Sequence, residues 1–217
     1  MSSKAAVALR QNPQPPSTRR LRRLSRSELP VDTVELARYL IGKTLVHDLP
    51  FGRLSGRIVE TEAYPIGDEA GHAFRGLTPA NRSLFLKRGH AYVRFTYGSC
   101  WLLNVTSEAP GIGGGALLRA LEPIEGIEFM TRHRGVDRLL DTTRGPGRLT
   151  AAMKIDKRFD GIDLCSRTSP LWLGAPVADT GEIGVSIRIG ISRAVNRQLR
   201  FYERGNPFVS GPARLSP

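Results

Sequence analysis

Read with a period of two, residues 53–64 place Leu54, Gly56, Ile58, Glu60, Glu62 and Tyr64 on one face and Arg53, Ser55, Arg57, Val59, Thr61 and Ala63 on the other. This is a long strand, apolar where it starts and acidic where it ends. A shorter β-rich run, residues 43–47, precedes it. Ahead of both, Asp32 followed by Glu35 has the form of a capping box, and Gly42 closes the short helix it opens. Thr78-Pro79 begins a second short helix that runs to residue 86. Residues 91–96 and 101–106 alternate around Tyr97-Gly98-Ser99-Cys100, which predicts a hairpin. A glycine run, 111–115, leads into a strand over 116–121. Residues 124–132 have helical spacing, and the loop Arg144-Gly145-Pro146-Gly147-Arg148 enters a further helix. Strands over 185–191 and 199–203 complete the pattern. Strands and helices mix without regular alternation. The expected fold is therefore α+β: a single domain with a curved, mostly antiparallel sheet and flanking helices.

Composition changes this picture at the N-terminus. Residues 1–30 carry six arginines, Arg10, Arg19, Arg20, Arg22, Arg23 and Arg26, against one acid, Glu28, with prolines between them. The segment reads as a flexible basic arm, and the folded domain as residues 31–217. A solvated tail and a transit peptide have the same composition. Over the full 217 residues there are 32 Lys and Arg against 20 Asp and Glu, a net charge of +12. Such an excess favours a polyanion, because each neutralised phosphate releases a counterion.

Two cysteines, Cys100 and Cys165, make no disulfide framework, and the four histidines show no metal-ligand spacing. No metal and no cofactor are expected. No apolar run reaches membrane-spanning length, and there is no signal-peptide core. The expected setting is the cytoplasm, with nucleoid association in a bacterium, and the expected state is a monomer.

Three local signals carry candidate chemistry, each with a plain structural alternative. Glu60 and Glu62 extend an apolar strand face, which is costly unless the acids are paired or used. The hairpin presents Tyr97 at its tip with Arg88 and Arg94 nearby. Its tip residue can wedge between base steps, or fold back onto the core. The loop around Gly147, flanked by Arg144 and Arg148, lets a backbone approach phosphate, or is simply a loop.

These signals fall inside a longer pattern. Val59-Glu60-Thr61-Glu62-Ala63-Tyr64, His72, Thr78-Pro79-x-Asn81-Arg82, Tyr92-Val93, Tyr97-Gly98, Asn104, residues 117–123 (Leu-Leu-Arg-Ala-Leu-Glu-Pro), residues 145–149 and Arg200-Phe201-Tyr202 occur in that order. Together they resemble the alkyladenine (3-methyladenine, methylpurine) DNA glycosylase family across about residues 36–210. The resemblance implies a monofunctional enzyme of base excision repair acting on double-stranded DNA that contains damaged purines. It implies a hairpin whose Tyr97 fills the gap left by the extruded nucleotide, and beside it the local readings make Gly98 and Ser99 of the turn and Arg144, Gly147 and Arg148 of the loop expected DNA contacts. Glu62 matches the carboxylate that activates water, and Arg119 an arginine that holds Glu62 and that water. Tyr64 matches the aromatic that stacks on the extruded base. His72, Asn104 and Leu117 match pocket positions, Asn104 being the residue that crowds the exocyclic amine of guanine.

The sequence departs from the family pattern at Arg94, where the family commonly carries a second stacking tyrosine. Either Arg94 turns out to a phosphate, or it faces the base and opposes a cationic one. Two other function classes remain to be weighed. A minor-groove binder without activity has no use for Glu62 opposite Arg119. A lyase needs a lysine nucleophile, and none of Lys4, Lys43, Lys87, Lys154 and Lys157 matches such a position in the family.

Overall fold

The structure, a computed structural model, describes residues 21–96 and 98–216. Its spine is the 13-residue strand β2, Gly52–Tyr64. The first half of β2 pairs antiparallel with β1, Thr44–Leu49, through the tight turn at Phe51. Its second half pairs on the same edge with β8, Arg200–Glu203, over residues 60–62. The other edge pairs with β5, Gly115–Glu125, over nearly its whole length. The hairpin strands β3, Ala91–Thr96, and β4, Cys100–Thr106, extend the sheet beyond β5. Outside β1 lies β6, Leu171–Gly174, and β7, Ile183–Ser186, pairs with β8. All pairings are antiparallel, and the fold is α+β with one sheet of eight strands among the described residues.

Helix α1, Thr33–Leu40, starts where the Asp32 side chain accepts from the Val34 and Glu35 amides at 2.8 and 2.9 Å. It buries Leu36, Ala37 and Leu40 against Leu54, Ile58 and Leu118. Gly42, at φ +82°, ends the turn and donates its amide to Ile58. Helices α2, Ile127–Arg134, α3, Leu140–Thr143, and α4, Pro146–Ala152, cover the β4–β5 end.

The period-two reading of β2 fails at one place. Leu54 and Ile58 face the main core, but so do Thr61, which donates to the Ala37 carbonyl, and Ala63. Val59 and Glu60 turn to the same side, Val59 into a second cluster with Tyr202, Phe208 and Val209, and Glu60 onto the Ser210 amide. The cause is a pair of register shifts. Val59 is an extra residue on β2, and Arg119 is an extra residue on β5 one step later. The two offset each other, so the ladder continues in register while the side chains change faces. Glu60, Glu62 and Tyr64 therefore leave the core face instead of extending it.

Several boundaries differ from the sequence pattern. Strand β5 runs on to Glu125, and the helix begins at Ile127 after Gly126, whose φ of +73° breaks the strand. The helix expected from Thr78 is reduced to a 3-10 turn, Arg82–Phe85, because the Asn81 side chain takes the Thr78 amide. Strand β7 stops at Ser186, since Arg188 turns inward. β6 and α3 were not expected. The N-terminal arm was read as extending through residue 30, but Leu24 and Leu29 are buried in the main core and the Leu24 amide bonds the Leu173 carbonyl. The packed body thus takes in residues 21–30. The apolar leucines between the arginines explain this, and Arg10, Arg19 and Arg20 lie outside the described residues.

Candidate active site

The face change on β2 delivers two carboxylates to one buried cluster. Glu60 and Glu62 have no solvent exposure. Glu60 Oε1 accepts from Arg119 Nε at 2.8 Å and Arg200 Nε at 2.7 Å, and its Oε2 from the Ser210 amide at 2.7 Å. Glu62 Oε1 accepts from the Ile189 amide at 2.8 Å and meets Arg119 Nη1 at 3.1 Å. Its Oε2 accepts from the Tyr64 hydroxyl at 2.9 Å. Burial raises the Glu62 pKa above the ordinary carboxylate value, opposed by the charge of Arg119, the Ile189 amide and the Tyr64 hydroxyl. Burial works against the charge on Arg119, but Glu62 and Glu60 outweigh it and hold the guanidinium protonated. The Tyr64 phenol is pushed up by burial and then by the Glu62 carboxylate, so it stays a donor.

Tyr64 closes the cluster from the side of a cleft of about 1010 Å³. The Arg188 guanidinium lies 4.6 Å over its ring and is itself fixed by the Ala63 carbonyl at 2.9 Å and by the buried Asp68 at 2.9 Å. Tyr64 and Arg119 face the cleft, along with Leu117 from β5, Asn104 from β4 and Arg94 from β3. Leu117 and Asn104 are nearly closed off from solvent, and Asn104 Nδ2 donates to the Tyr92 carbonyl at 3.5 Å. Arg94 turns into the cleft and not away from it, its Nη1 3.5 Å from Tyr92 Oη. Among the described residues no carboxylate lies within ion-pair distance of it. His72 stands at the open mouth with Nδ1 3.1 Å from Tyr92 Oη. Partial burial of the ring, then the Arg94 charge, lower its pKa to about 4, so the imidazole is neutral at pH 7.

Beside this cleft is a hollow of about 440 Å³ lined by Ser99, Cys100, Trp101, Arg134, Arg144, Gly147 and Arg148. Gly147 borders both spaces, and a side chain there would meet Cys100 Sγ at 3.0 Å. Arg144 is braced by the Val209 carbonyl at 2.8 Å, and Arg148 pairs with Asp141 at 3.1 Å near solvent. Gly98 takes φ +64° in the hairpin turn, where the Ser99 amide donates to Thr96. Tyr97 lies outside the described residues.

The profile of the methylpurine-DNA glycosylase family matches residues 27–207, which spans the sheet, the cluster and the cleft. The chain belongs to this family. It is similar to a Mesorhizobium japonicum protein named "Putative 3-methyladenine DNA glycosylase", 64% identical over 192 residues, covering 88% of this chain and 92% of that protein. It is also similar to proteins of the same name from Paraburkholderia phytofirmans (56% identical, 88% of this chain and 90% of the relative) and Chlorobaculum tepidum (44%, 88% and 91%). Membership in a DNA glycosylase family makes the chain a hydrolase with DNA as its substrate. Among the described residues no helix is long and apolar enough to cross a membrane.

For this glycosylase the structure gathers Glu62, Arg119, Tyr64, His72, Arg94, Asn104 and Leu117 about one cleft. Arg144, Gly147, Arg148 and Ser99 gather about the neighbouring hollow. Sequence reading missed the inner partners. Glu60 was seen on the strand face without its contacts. Arg200 was noted only within its motif, and Arg188, Asp68, Ser210 and the Ile189 amide carried no signal. The available clue was the Glu60-x-Glu62 spacing together with Arg200 inside the apolar run Leu199-Arg200-Phe201-Tyr202, since a buried arginine needs an acid.

Proposed function

We propose that this chain extrudes an alkylated or deaminated purine from duplex DNA into the cleft and hydrolyses its N-glycosidic bond with water activated by Glu62. The carrying observation is a carboxylate of zero exposure held by Arg119 and the Ile189 amide directly behind the cleft wall formed by Tyr64. A base within the helix is out of reach, and extrusion costs a few kcal/mol, less for a damaged pair.

In this reading the purine stacks on Tyr64, whose other face is backed by Arg188. Leu117, Asn104 and His72 border the base, and Arg94 faces it from β3. Glu62 Oε2 gives up the Tyr64 hydroxyl bond and takes a proton from water. The water oxygen bonds C1′ of the deoxyribose as the C1′–N9 bond breaks, and that electron pair leaves with the purine. A cationic alkylated purine departs neutral and needs no acid. The Glu62 charge also faces the oxocarbenium character that develops at C1′. Tyr97, between β3 and β4 in the sequence, is the residue we assign to fill the gap in the stack, with Gly98 and Ser99 beside the DNA. Arg144, Gly147 and Arg148 track the phosphates beside it.

The test is Glu62→Gln. It should abolish base release from duplexes carrying 7-methylguanine or hypoxanthine and keep binding to an abasic-site duplex. Turnover near that of the unaltered protein would remove Glu62 from the reaction.

A further inference from the structure

Glu60 lies outside the reaction just described, yet it makes the shortest contacts in the buried cluster. Arg119 is shared between two acids in unequal fashion. Its aligned hydrogen bond goes to Glu60 Oε1 through Nε at 2.8 Å, and only its Nη1 reaches Glu62 Oε1, at 3.1 Å. Arg200 gives Nε to the same Glu60 oxygen at 2.7 Å and is fixed by the Ser210 and Leu215 carbonyls and the Ser186 and Ser216 hydroxyls. Arg119 Nη2 adds a contact to Ser210 Oγ at 3.3 Å. The cluster therefore holds two cations and two anions, all fully or almost fully buried.

We infer that Glu60 is a positioning residue for the glycosylase reaction: it anchors Arg119 by Nε and balances Arg119 and Arg200, so that one guanidinium nitrogen is presented to Glu62. The inference rests on Glu62 acting as the base. Without Glu60, Arg119 has Glu62 as its one ion-pair partner among the described residues, and the buried charge of Arg200 is left unbalanced. Arg119 then closes onto Glu62 with its full charge, and the carboxylate becomes a weaker proton acceptor. Glu60 thus keeps Glu62 basic.

The groups that face Glu62 are Arg119 from β5, Glu60 and Tyr64 from β2, and Arg188 over the Tyr64 ring from the segment after β7. Arg200 from β8 and Asp68 from the loop after β2 stand one contact further out. The Tyr64 phenol stays protonated, and the cationic partners are arginines. His72 in the same cleft is neutral above about pH 4, so above that pH the acid limb reports Glu62.

The experiment is a pH series of single-turnover base release from a duplex bearing 7-methylguanine, whose departure needs no added proton. In Glu60→Gln the midpoint of the acid limb should move down by about one pH unit, with a lower plateau rate. Binding to an abasic-site duplex shows that the variant is folded. A residue that merely supports the fold would lower the rate and leave the limb in place, so an unmoved limb overturns the inference. If Glu60→Gln does not fold, Glu60→Asp decides. It keeps the charge but draws it back from Arg119, and the limb should move the same way by a smaller step. An unmoved limb there overturns the inference as well. Glu62→Gln separates the two readings: an active Glu62→Gln enzyme sinks the base assignment, whereas an inactive one with an unmoved Glu60→Gln limb sinks only the role of Glu60.

Discussion

Tyr64→Phe removes one oxygen from the site and leaves the aromatic ring. That oxygen donates to Glu62 Oε2 at 2.9 Å. A hydrogen bond to a charged, buried acceptor contributes about 1.5–3 kcal/mol, and one pKa unit corresponds to about 1.4 kcal/mol. The Glu62 pKa is already raised by burial, with Arg119, the Ile189 amide and this hydroxyl opposing the rise. Losing one opponent should raise it by a further one to two units or so. The proposed reaction needs the ionised form, so the acid limb of base release should move up by that amount. The plateau at higher pH should change little, because the ring that lies under Arg188 and is proposed to stack on the base is kept. Stability has the matching sign. A carboxyl whose folded pKa exceeds its unfolded value binds its proton more tightly in the native state, so stability falls as pH rises from the ordinary value to the folded one. The variant should thus be less stable than the parent above that window and equal to it below. Single-turnover rates from about pH 4.5 to 8.5 and denaturant midpoints at both ends of that range measure the two effects. A limb that stays in place, or moves down, would show that the hydroxyl does not stabilise the ionised Glu62.

Arg94→Tyr should raise the single-turnover rate on 7-methylguanine relative to hypoxanthine by about tenfold, since a guanidinium facing the cleft opposes a cationic base; an unchanged ratio would place Arg94 outside base recognition. Duplex affinity should fall steeply with salt, and Arg148→Gln should reduce the slope of log K against log salt by about one if its guanidinium meets a phosphate. A variant with the parental slope would free Arg148 of that role. Gly113→Ala should lower stability by about 1–3 kcal/mol in thermal or denaturant unfolding. A Cβ at Gly113 meets Ala73 Cβ at 2.5 Å and Phe85 Cζ at 2.7 Å beneath the His72 loop. An unaltered midpoint would mean that this loop yields freely.

The sheet was largely legible, because alternation in β2 and in the hairpin strands is strong and turn residues bound each run. The short β6 has four residues, too few for a period to stand out. α2 was displaced because β5 carries an apolar pattern past Pro123, where the chain still extends, and only the φ of Gly126 ends it. The cleft residues named from the motif pattern sit together, but their inner supports were not legible. Ile189 acts through a backbone amide, which no side-chain pattern encodes. Arg188 follows β7 and Arg200 opens β8, each more than a hundred residues from the acid it meets, and an arginine alone does not say which acid that is.

The register shifts explain how the site can exist on this sheet. An unbroken period of two would carry Glu60 and Glu62 into the core that Leu54 and Ile58 occupy, where no partner waits and desolvation would neutralise them. Placing Val59 as an extra residue on β2 turns the acids out of that core. Placing Arg119 as the extra residue on β5 puts a cation opposite them at the same step. The same two shifts hand Thr61 and Ala63 to α1, so the hydrophobic face loses nothing. Arg200 then enters from β8, the strand that pairs with β2 only over residues 60–62. A chain of net charge +12 suits a polyanionic partner but threatens any base that must remain basic. Two arginines matched by two acids in a closed cluster separate Glu62 from that surface charge. If Glu62 is the base proposed above, base release should therefore depend more on Glu60, Arg119 and Arg200 than on Arg144 and Arg148.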